Sequence, residues 1–304
     1  MAKSTFAPKP PVEKLPLATR KDIRDKYEER KTELESEISQ LLGVSFTLAI
    51  NPNEVVAYVK EDSRASVGDM FATYVTGFIL GLKDYVEKYG DDGKAHFNAA
   101  VSASQLSVNV NELGEKGDTI SADVKDGVYR ILFNHDRVGY NMNQQYDCIL
   151  PAIEAVPTDG FCLRAKHSIE NDYTDKIDDL RNEIAEITGI KDVVLDANFE
   201  ENYKALCEAA EPPQQWQQNF GKVHFSYFNG LKGQLEMQGF KADEMLQEGL
   251  QEVVTSKTFK IRIVAKTKDT NETVIEDGVV YLQTTANRWW YNANDMGTGL
   301  VKLL

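Results

Sequence analysis

The 304-residue sequence has few of the side chains that build catalytic or metal centres. It contains three cysteines and four histidines, and none of them has the spacing to another that zinc sites use. It also lacks the signatures of a serine nucleophile elbow, a phosphate-binding P-loop, a dinucleotide-binding glycine loop and an EF-hand. The sequence therefore predicts neither a metal site nor a bound cofactor, and it identifies no catalytic residue.

The cysteines, Cys148, Cys162 and Cys207, are sparse, odd in number and without Cys-x-x-Cys spacing. This pattern predicts reduced thiols that pack as small hydrophobic side chains in a reducing compartment. The N-terminal residues contain lysines and prolines but no apolar stretch of the kind that a secretory signal requires. We therefore expect a cytoplasmic protein.

The sequence also lacks an excess of basic residues and any long hydrophobic run. Its 34 lysines and arginines are outnumbered by 48 acidic residues, which gives a formal net charge of −14. Because an acidic surface repels phosphate backbones and anionic lipids, neither nucleic acid nor a membrane is an expected partner. The longest apolar stretch, Met70 to Leu82, is shorter than the roughly 20 residues of a membrane span, so it predicts a core helix.

What the sequence does contain is an internal repeat. Residues 126–143 (DGVYRILFNHDRVGYNMN) and residues 277–294 (DGVVYLQTTANRWWYNAN) match at seven of eighteen positions without a gap, at an offset of 151 residues. The matching positions of the first segment are Asp126, Gly127, Val128, Arg137, Tyr140, Asn141 and Asn143. This recurrence predicts a domain that is present twice.

Weaker matches extend the repeat toward the start of each half. Tyr27 matches Tyr173 at an offset of 146 residues, and the tripeptide Gly-Leu-Lys that begins at Gly81 recurs at Gly230, at an offset of 149. Small insertions between corresponding elements explain the drift of the offset. Two domains of about 150 residues would each be large enough to bury a normal core.

Each half has the same predicted order of elements. A helix with one apolar face comes first, then a short apolar strand, a long helix, a short helix and about four strands of alternating polar and apolar residues. Because helices and strands are segregated along the chain, we predict an α+β fold in which helices cover one face of an antiparallel sheet of four to five strands. Segment 126–143 is expected to be the closing hairpin, with strands at 128–133 and 137–141.

The predicted domain boundaries follow from the repeat. Residues 1–18, which include four prolines, are expected to form a flexible N-terminal arm. Residues 19–156 and 169–304 form the two repeats, and residues 157–168 form the linker between them. The pairs Thr19–Asp22 and Ser66–Asp69 have the spacing of capping boxes that would begin the first helix and the long helix.

The polar residues that recur in the closing hairpin are candidate ligand-binding residues: Arg137, Asn141, Asn143, Arg288, Asn292 and Asn294. On a strand, Arg137, Asn141 and Asn143 would share one face, where a guanidinium and two amides could hold a carboxylate or a sugar. The alternative is structural. In that interpretation the Arg and Asn side chains satisfy backbone groups of turns and edges, while Tyr140 packs in the core.

Two adjacent tryptophans distinguish the second copy, where Trp289 and Trp290 replace Val138 and Gly139. Because neighbouring strand residues face opposite sides, one tryptophan is expected to be buried and the other exposed. An exposed tryptophan could stack on a ligand or partner, so both are included among the candidate ligand-binding residues. Packing against the helices or the other domain is the alternative.

These observations favour a non-catalytic binding or interaction protein that holds an unidentified small molecule or protein in a cleft or in the groove between its domains. The first alternative is a hydrolase or isomerase with a polar Arg/Tyr/Asn site at the domain interface. The second is a structural or assembly protein, for which the chain would form a homo-oligomer. The sequence does not identify the ligand.

Overall fold

The computed structural model describes residues 6–157 and 160–304. The chain divides into two compact units, Met1–Thr158 and Asp159–Leu304. The division falls at the start of the predicted linker 157–168, of which residues 158 and 159 lie outside the described part. The rest of the predicted linker includes the start of a helix at Leu163.

The first unit contains helices α1 to α5 and strands β1 to β4. Their bounds are Leu17–Ile23 (α1), Glu29–Leu42 (α2), Thr47–Leu48 (β1), Pro52–Val56 (α3), Val67–Ala100 (α4), Gln105–Val110 (β2), Ile120–Lys125 (β3), Val128–Phe133 (β4) and Ile149–Glu154 (α5). A turn of π-helix, Arg24–Glu28, joins α1 to α2, so the chain is helical from Leu17 to Leu42. This helical stretch is the predicted first helix.

The second unit contains helices α6 to α10 and strands β5 to β8. Their bounds are Leu163–Ile169 (α6), Ile177–Thr188 (α7), Val194–Asp196 (β5), Phe199–Glu208 (α8), Phe220–Met237 (α9), Glu244–Val253 (α10), Thr258–Ile263 (β6), Asn271–Glu276 (β7) and Val279–Thr284 (β8). A turn of π-helix, Glu170–Thr174, follows α6, as one follows α1 in the first unit. Helix α8 is absent from the predicted element order.

The two four-stranded sheets have the same strand order, β1-β2-β4-β3 and β5-β6-β8-β7. In each, the first three strands of that order run parallel, and only the last pair is antiparallel. The predicted antiparallel sheet is therefore wrong, and both sheets are mixed. The long helical crossover between β1 and β2 brings the chain back to run in the same direction. The chain then continues from β2 to β3, and β4 lies between these two strands and pairs with both of them.

Helices cover one face of the first sheet. Tyr129 of β4 lies under α4, with ring centroids 4.9 Å from Phe78 and 5.9 Å from Phe97. The next residue, Arg130, points to the other face, where its Nε donates to Asp123 Oδ1 at 2.7 Å. The alternation of apolar and polar residues along the strand thus reflects one sheet face that the helices cover and one that is more exposed to solvent.

The recurring segments do not form the predicted closing hairpins. The observed hairpin in each unit joins β3 to β4, or β7 to β8, through a two-residue turn. In the first unit this turn is Asp126-Gly127, with φ of 54° and 74°. Two consecutive positive φ values are typical of a type I′ turn, which explains the recurring Asp-Gly pair. The second predicted strands, 137–141 and 288–292, are wrong, because Asn141 and Asn292 also have positive φ values, which interrupt extended backbone.

Helix α4 lies in the core of the first unit. Its N-terminal part is buried along Phe71, Tyr74, Phe78 and Leu82, and its helical backbone breaks at Gly90 (φ 56°, ψ −142°), close to the predicted end of the long helix. By length and composition, the helical stretch from Glu61 to Ala100 is the one candidate membrane span within the described residues, and 61% of its most apolar window is buried in the structure. This degree of burial is expected of a helix in the core of a folded domain.

The two predicted capping boxes are wrong, and Asp22 has a different role. Helix α1 begins at Leu17, before Thr19, and the Ser66 side chain makes no capping hydrogen bond. Instead, Asp22 Oδ2 accepts a hydrogen bond from Gly68 N, at the start of α4, at 2.6 Å. In the second unit, Ser168 Oγ accepts from Gly221 N, at the start of α9, at 3.1 Å. Each long helix is therefore capped by a side chain from the first helix of its own unit.

The N-terminal segment is held against the first unit from Phe6 onward. It forms neither helix nor strand before Leu17, but Val12 N donates to Asn53 O at 3.0 Å and Lys9 N donates to the Tyr58 hydroxyl at 2.7 Å. These hydrogen bonds and the burial of Leu15 hold this part of the predicted flexible arm, residues 1–18, against the first unit. Residues 1–5 lie outside the described part.

Candidate functional site

The predicted ligand-binding residues lie in one loop of each unit. Loop A, residues 134–145, follows β4, and loop B, residues 285–296, follows β8. Loop A crosses α4 at Gly77, and loop B crosses α9 at Gly230. A Cβ atom at Gly77 would lie 2.1 Å from Met142 O, and one at Gly230 would lie 2.0 Å from Ala293 O. Only glycine allows the loop backbone to pass so close to the helix.

A buried tyrosine fixes each loop at a second point. The Tyr74 hydroxyl accepts a hydrogen bond from Gly139 N at 2.8 Å, and the Tyr227 hydroxyl accepts one from Trp290 N at 2.6 Å. Burial raises the pKa of Tyr74 to about 12 and also raises the pKa of Tyr227, so both hydroxyls keep their protons at neutral pH. These tyrosines hold the loop conformation and do not face a ligand.

The two candidate arginines bind groups of their own unit. Arg137 Nη1 donates to Thr119 Oγ1 at 2.9 Å, and Arg288 Nη1 donates to Asp269 O at 3.1 Å. Thr119 and Asp269 belong to the connections that lead into β3 and β7. Both arginines are exposed, and each ties its loop to that connection. Their recurrence thus has the structural explanation considered in the sequence analysis.

The candidate asparagines are exposed, and two of them have a backbone role. Asn141 and Asn292 have φ values of 53° and 51°, in the left-handed region that asparagine tolerates better than most residues. Asn294 contributes its backbone, since its carbonyl accepts a hydrogen bond from Gln234 Nε2 at 2.8 Å. The structure brings Asn143 into the same loop, where the side chain is exposed. Recurrence of the first pair is explained by turn conformation.

One of the adjacent tryptophans is buried and the other is exposed, as expected, but for a different reason. Trp289 is fully buried, and its ring centroid lies 4.8 Å from that of His224 and 5.0 Å from that of Tyr227. Trp290 is 39% exposed. The division arises from a turn and not from strand alternation, because Trp290 has a φ of 82°. Trp289 is a core residue, which favours the alternative that it packs against the helices.

Two exposed residues that the sequence analysis did not select are the tyrosines of the same loops. Tyr140 is 59% exposed and Tyr291 is 60% exposed, although Tyr140 was expected to pack in the core under the structural interpretation. Both match at the offset of 151 residues, so their recurrence was the available signal. Neither ring is needed to close the core.

An acidic cleft of about 410 Å³ borders loop A. Asp136 and Tyr140 of the loop form one wall, and the segment before α4 and its first turn form the other, with side chains that include Lys60, Asp62 and Asp69. Met70 and Met142 add apolar surface between them. We call this surface the acidic cleft.

A second cleft, which we call the polar cleft, borders loop B. It has a volume of about 870 Å³, and its walls include Lys268, Asp269, Asn271, Asn292, Asp295 and Lys302. Two lysines and three acidic residues line this cleft, and Glu272 forms an ion pair with Lys268 at 3.5 Å. The two clefts therefore differ by one charge, although the loops beside them are fixed in the same way.

The second unit also contains a buried polar network that the sequence did not indicate. Asn202 Nδ2 donates to Ala197 O and Ile261 O, and it lies 3.3 Å from His224 Nε2. His224 Nδ1 lies 2.7 Å from Phe220 O. Burial lowers the pKa of His224 to about 3, so the imidazole is neutral and donates through Nδ1. Because Asn202 and His224 are both buried, this network stabilises the core and offers no open site.

Within the described residues, no group of three or more His, Cys, Asp and Glu side chains is placed to hold a metal ion. Comparison of the chain with models of protein families, with curated proteins and with solved structures finds no match.

Proposed function

We propose that the protein is a non-catalytic binding protein in which each unit contacts its partner through the exposed tyrosine of its loop. One observation carries this proposal: loops A and B present Tyr140 and Tyr291 to solvent at nearly equal exposure, 59% and 60%. A cleft borders each loop, and the Tyr140 ring lines the acidic cleft.

Tyrosine is well suited to this role. Its ring offers apolar area at a low cost in side-chain entropy, and its hydroxyl can form a hydrogen bond with a partner. Tyrosine is accordingly among the residues that dominate binding energy at protein interfaces. An exposed ring contributes little to folding, so a folding requirement does not account for its presence in both loops.

The proposal includes a duplication origin for the two units. It is supported by the shared strand order, by the π-helical turns after α1 and α6, and by the glycine and tyrosine contacts that fix loops A and B. In this account, the recurring Arg137 and Arg288 belong to the inherited framework. The exposed tyrosines are then inherited as parts of a binding surface.

The hydrolase or isomerase alternative depended on an arginine in a deep polar site. Arg137 and Arg288 are exposed and donate to the connections that lead into β3 and β7, which does not favour that alternative. The assembly alternative has one supporting observation, the adjacent exposed rings of Trp290 and Tyr291. It predicts a concentration-dependent oligomer that Tyr291→Ala weakens, which analytical ultracentrifugation measures.

The binding proposal is tested by comparing full-length baits. Wild type, Tyr140→Ala, Tyr291→Ala and the double variant are immobilised and exposed to native extract of the source cells, and the retained proteins are quantified by mass spectrometry. Tyr146→Ala is the matched control, because Tyr146 is 58% exposed but lies outside the walls of the acidic cleft. The amount of each protein that both wild type and the control retain should be lower on each single loop variant, and lowest on the double variant. Equal retention by all five baits would refute the proposal.

A further inference from the structure

We infer that the first unit has a groove for a proline-rich peptide of a partner protein and that the chain's own N-terminal segment, residues 6–15, occupies this groove. The partner would bind by displacing the segment. Pro8 and Pro11 of the segment have the Pro-x-x-Pro spacing of proline-rich ligands. Neither Tyr140 nor Tyr291 lines the groove, so this inference goes beyond the proposed function.

An aromatic ring receives the segment at Lys9. The Lys9 backbone N donates to the Tyr58 hydroxyl at 2.7 Å, and Lys9 Nζ lies 5.1 Å from the centroid of the same ring. The Tyr58 ring packs edge-on against Phe133, with the ring centroids 5.5 Å apart. Grooves lined by aromatic rings recognise proline-rich chains, because the prolines hold the ligand extended before it binds. The exposed carboxylate of Glu54 beside the groove favours a basic residue next to those prolines.

A reciprocal pair of hydrogen bonds fixes the register of the segment. Val12 N donates to Asn53 O at 3.0 Å, and Asn53 Nδ2 donates to Val12 O at 2.7 Å. On the side of the segment, both bonds use only the backbone. A second peptide with a different residue at this position can therefore form the same two bonds.

The segment is loosely held at its prolines. All four residues from Pro8 to Pro11 are exposed, and the segment forms neither helix nor strand. Segments that bury little apolar surface open more easily than the core of a domain. A competing peptide therefore has few contacts to replace.

The segment also leaves part of the groove unfilled. A cavity of about 270 Å³ remains, with Pro8 and Pro11 on one wall and Val108, Val110 and Phe133 on another. The identical segment of a second copy would leave the same cavity, and it would compete against a tethered segment whose effective concentration is on the order of millimolar. A partner with a larger apolar side chain beside its prolines fills the cavity and gains contacts that the segment lacks. The geometry therefore favours a different protein as the occupant.

The test uses fluorescence anisotropy with full-length protein and a fluorescein-labelled peptide that has the sequence of residues 6–15. The variant Pro8→Gly/Pro11→Gly should bind this peptide about tenfold more tightly than wild type does, because glycines add chain entropy to the open segment and weaken its own binding. Pro212→Gly/Pro213→Gly, which alters two prolines of the second unit, is the matched control and should bind as wild type does. A peptide with the same residues in scrambled order is the probe control.

A further substitution tests the role of the ring. Adding Tyr58→Phe to the Pro8→Gly/Pro11→Gly variant keeps the ring but removes the acceptor of the Lys9 N–H, so the labelled peptide should bind about fivefold more weakly. Hydrogen exchange of residues 6–15, measured by mass spectrometry, should be faster in the Pro8→Gly/Pro11→Gly variant than in wild type. This measurement shows whether the glycines open the segment.

The inference is overturned if the Pro8→Gly/Pro11→Gly variant binds the labelled peptide no more tightly than wild type, or binds the scrambled peptide equally well. Unchanged hydrogen exchange of residues 6–15 in that variant would also overturn it, because the prolines would then not hold the segment. Analytical ultracentrifugation addresses the choice of occupant. A concentration-dependent dimer of wild type that is lost in the Pro8→Gly/Pro11→Gly variant would assign the groove to a second copy and contradict the choice of a partner protein.

Discussion

Replacing His224 with phenylalanine should reduce the acid sensitivity of the second unit. The imidazole lies between the rings of Phe199, Phe220 and Trp289, with centroids 4.6, 4.5 and 4.8 Å away. In this desolvated place its pKa falls from 6.5 to about 3. Below pH 6.5 the unfolded chain therefore binds a proton at His224 that the folded chain does not bind. Folding becomes less favourable as pH falls.

The magnitude follows from the separation of the two pKa values. Each pH unit below 6.5 costs about 1.4 kcal/mol of unfolding free energy until the folded pKa is reached, or about 3 kcal/mol by pH 4. His224→Phe loses the hydrogen bonds to Phe220 O and Asn202, which costs about 1 to 2 kcal/mol at pH 7. The stability curves of wild type and variant should therefore cross between about pH 5 and 6.

The three tryptophans make the assay specific. Trp216, Trp289 and Trp290 all lie in the second unit, so intrinsic fluorescence during urea unfolding reports that unit alone. Phenylalanine is a fitting replacement because the corresponding position of the first unit holds a buried phenylalanine. Phe71 precedes Tyr74 by three residues, as His224 precedes Tyr227. Urea curves at pH 7, 6, 5 and 4 give the comparison. Curves for wild type and variant that stay parallel throughout would refute a neutral buried His224.

Two further substitutions test how the loops are fixed. Gly230→Ala should destabilise the second unit by more than about 2 kcal/mol, since its methyl group would collide with Ala293 O, whereas Gly233→Ala in the same helix has open space and should stabilise by about 0.5 to 1 kcal/mol in the same fluorescence assay. Equal effects of the two alanines would contradict the close approach. Tyr74→Phe should cost about 1 kcal/mol and speed hydrogen exchange at the Gly139 amide, and unchanged protection of that amide would show that the hydroxyl does not hold the loop.

The sequence predicted the strands well where turn chemistry and alternation agreed. The bounds of β4 and β8, 128–133 and 279–284, are confirmed. Both begin directly after an Asp-Gly pair that forces a tight turn, and both place apolar residues on one covered face. The pairing direction could not be predicted in the same way, because alternation reports which face is buried and says nothing about the direction of the neighbouring strand. The sequence pattern of parallel strands with one solvent-exposed face is therefore the same as that of an antiparallel meander.

The helical alignment shows a second limit of the sequence. The shared Gly-Leu-Lys pairs Gly81 with Gly230, but the loop contacts make Gly77 the structural counterpart of Gly230. The two candidates are four residues apart, about one helical turn, so both lie on the same face and the apolar pattern cannot separate them. Helix α9 has fewer residues before Gly239 than α4 has before Gly90, which accounts for the shift. Contacts, and not residue identity, decide the register.

Six of the eight candidate residues were selected because they recur, and their recurrence is explained by the framework more than by a ligand. Arg137 and Asn141 hold loop A, as Arg288 and Asn292 hold loop B, and each role would be needed whatever the protein binds. A duplicated binding protein that has acquired two different ligands would retain such residues and change the surfaces beside them. The residues that line the acidic and polar clefts differ in that way, since the first has one basic and three acidic side chains and the second has two basic and three acidic ones. Specificity should therefore depend on cleft residues that have no counterpart in the other unit.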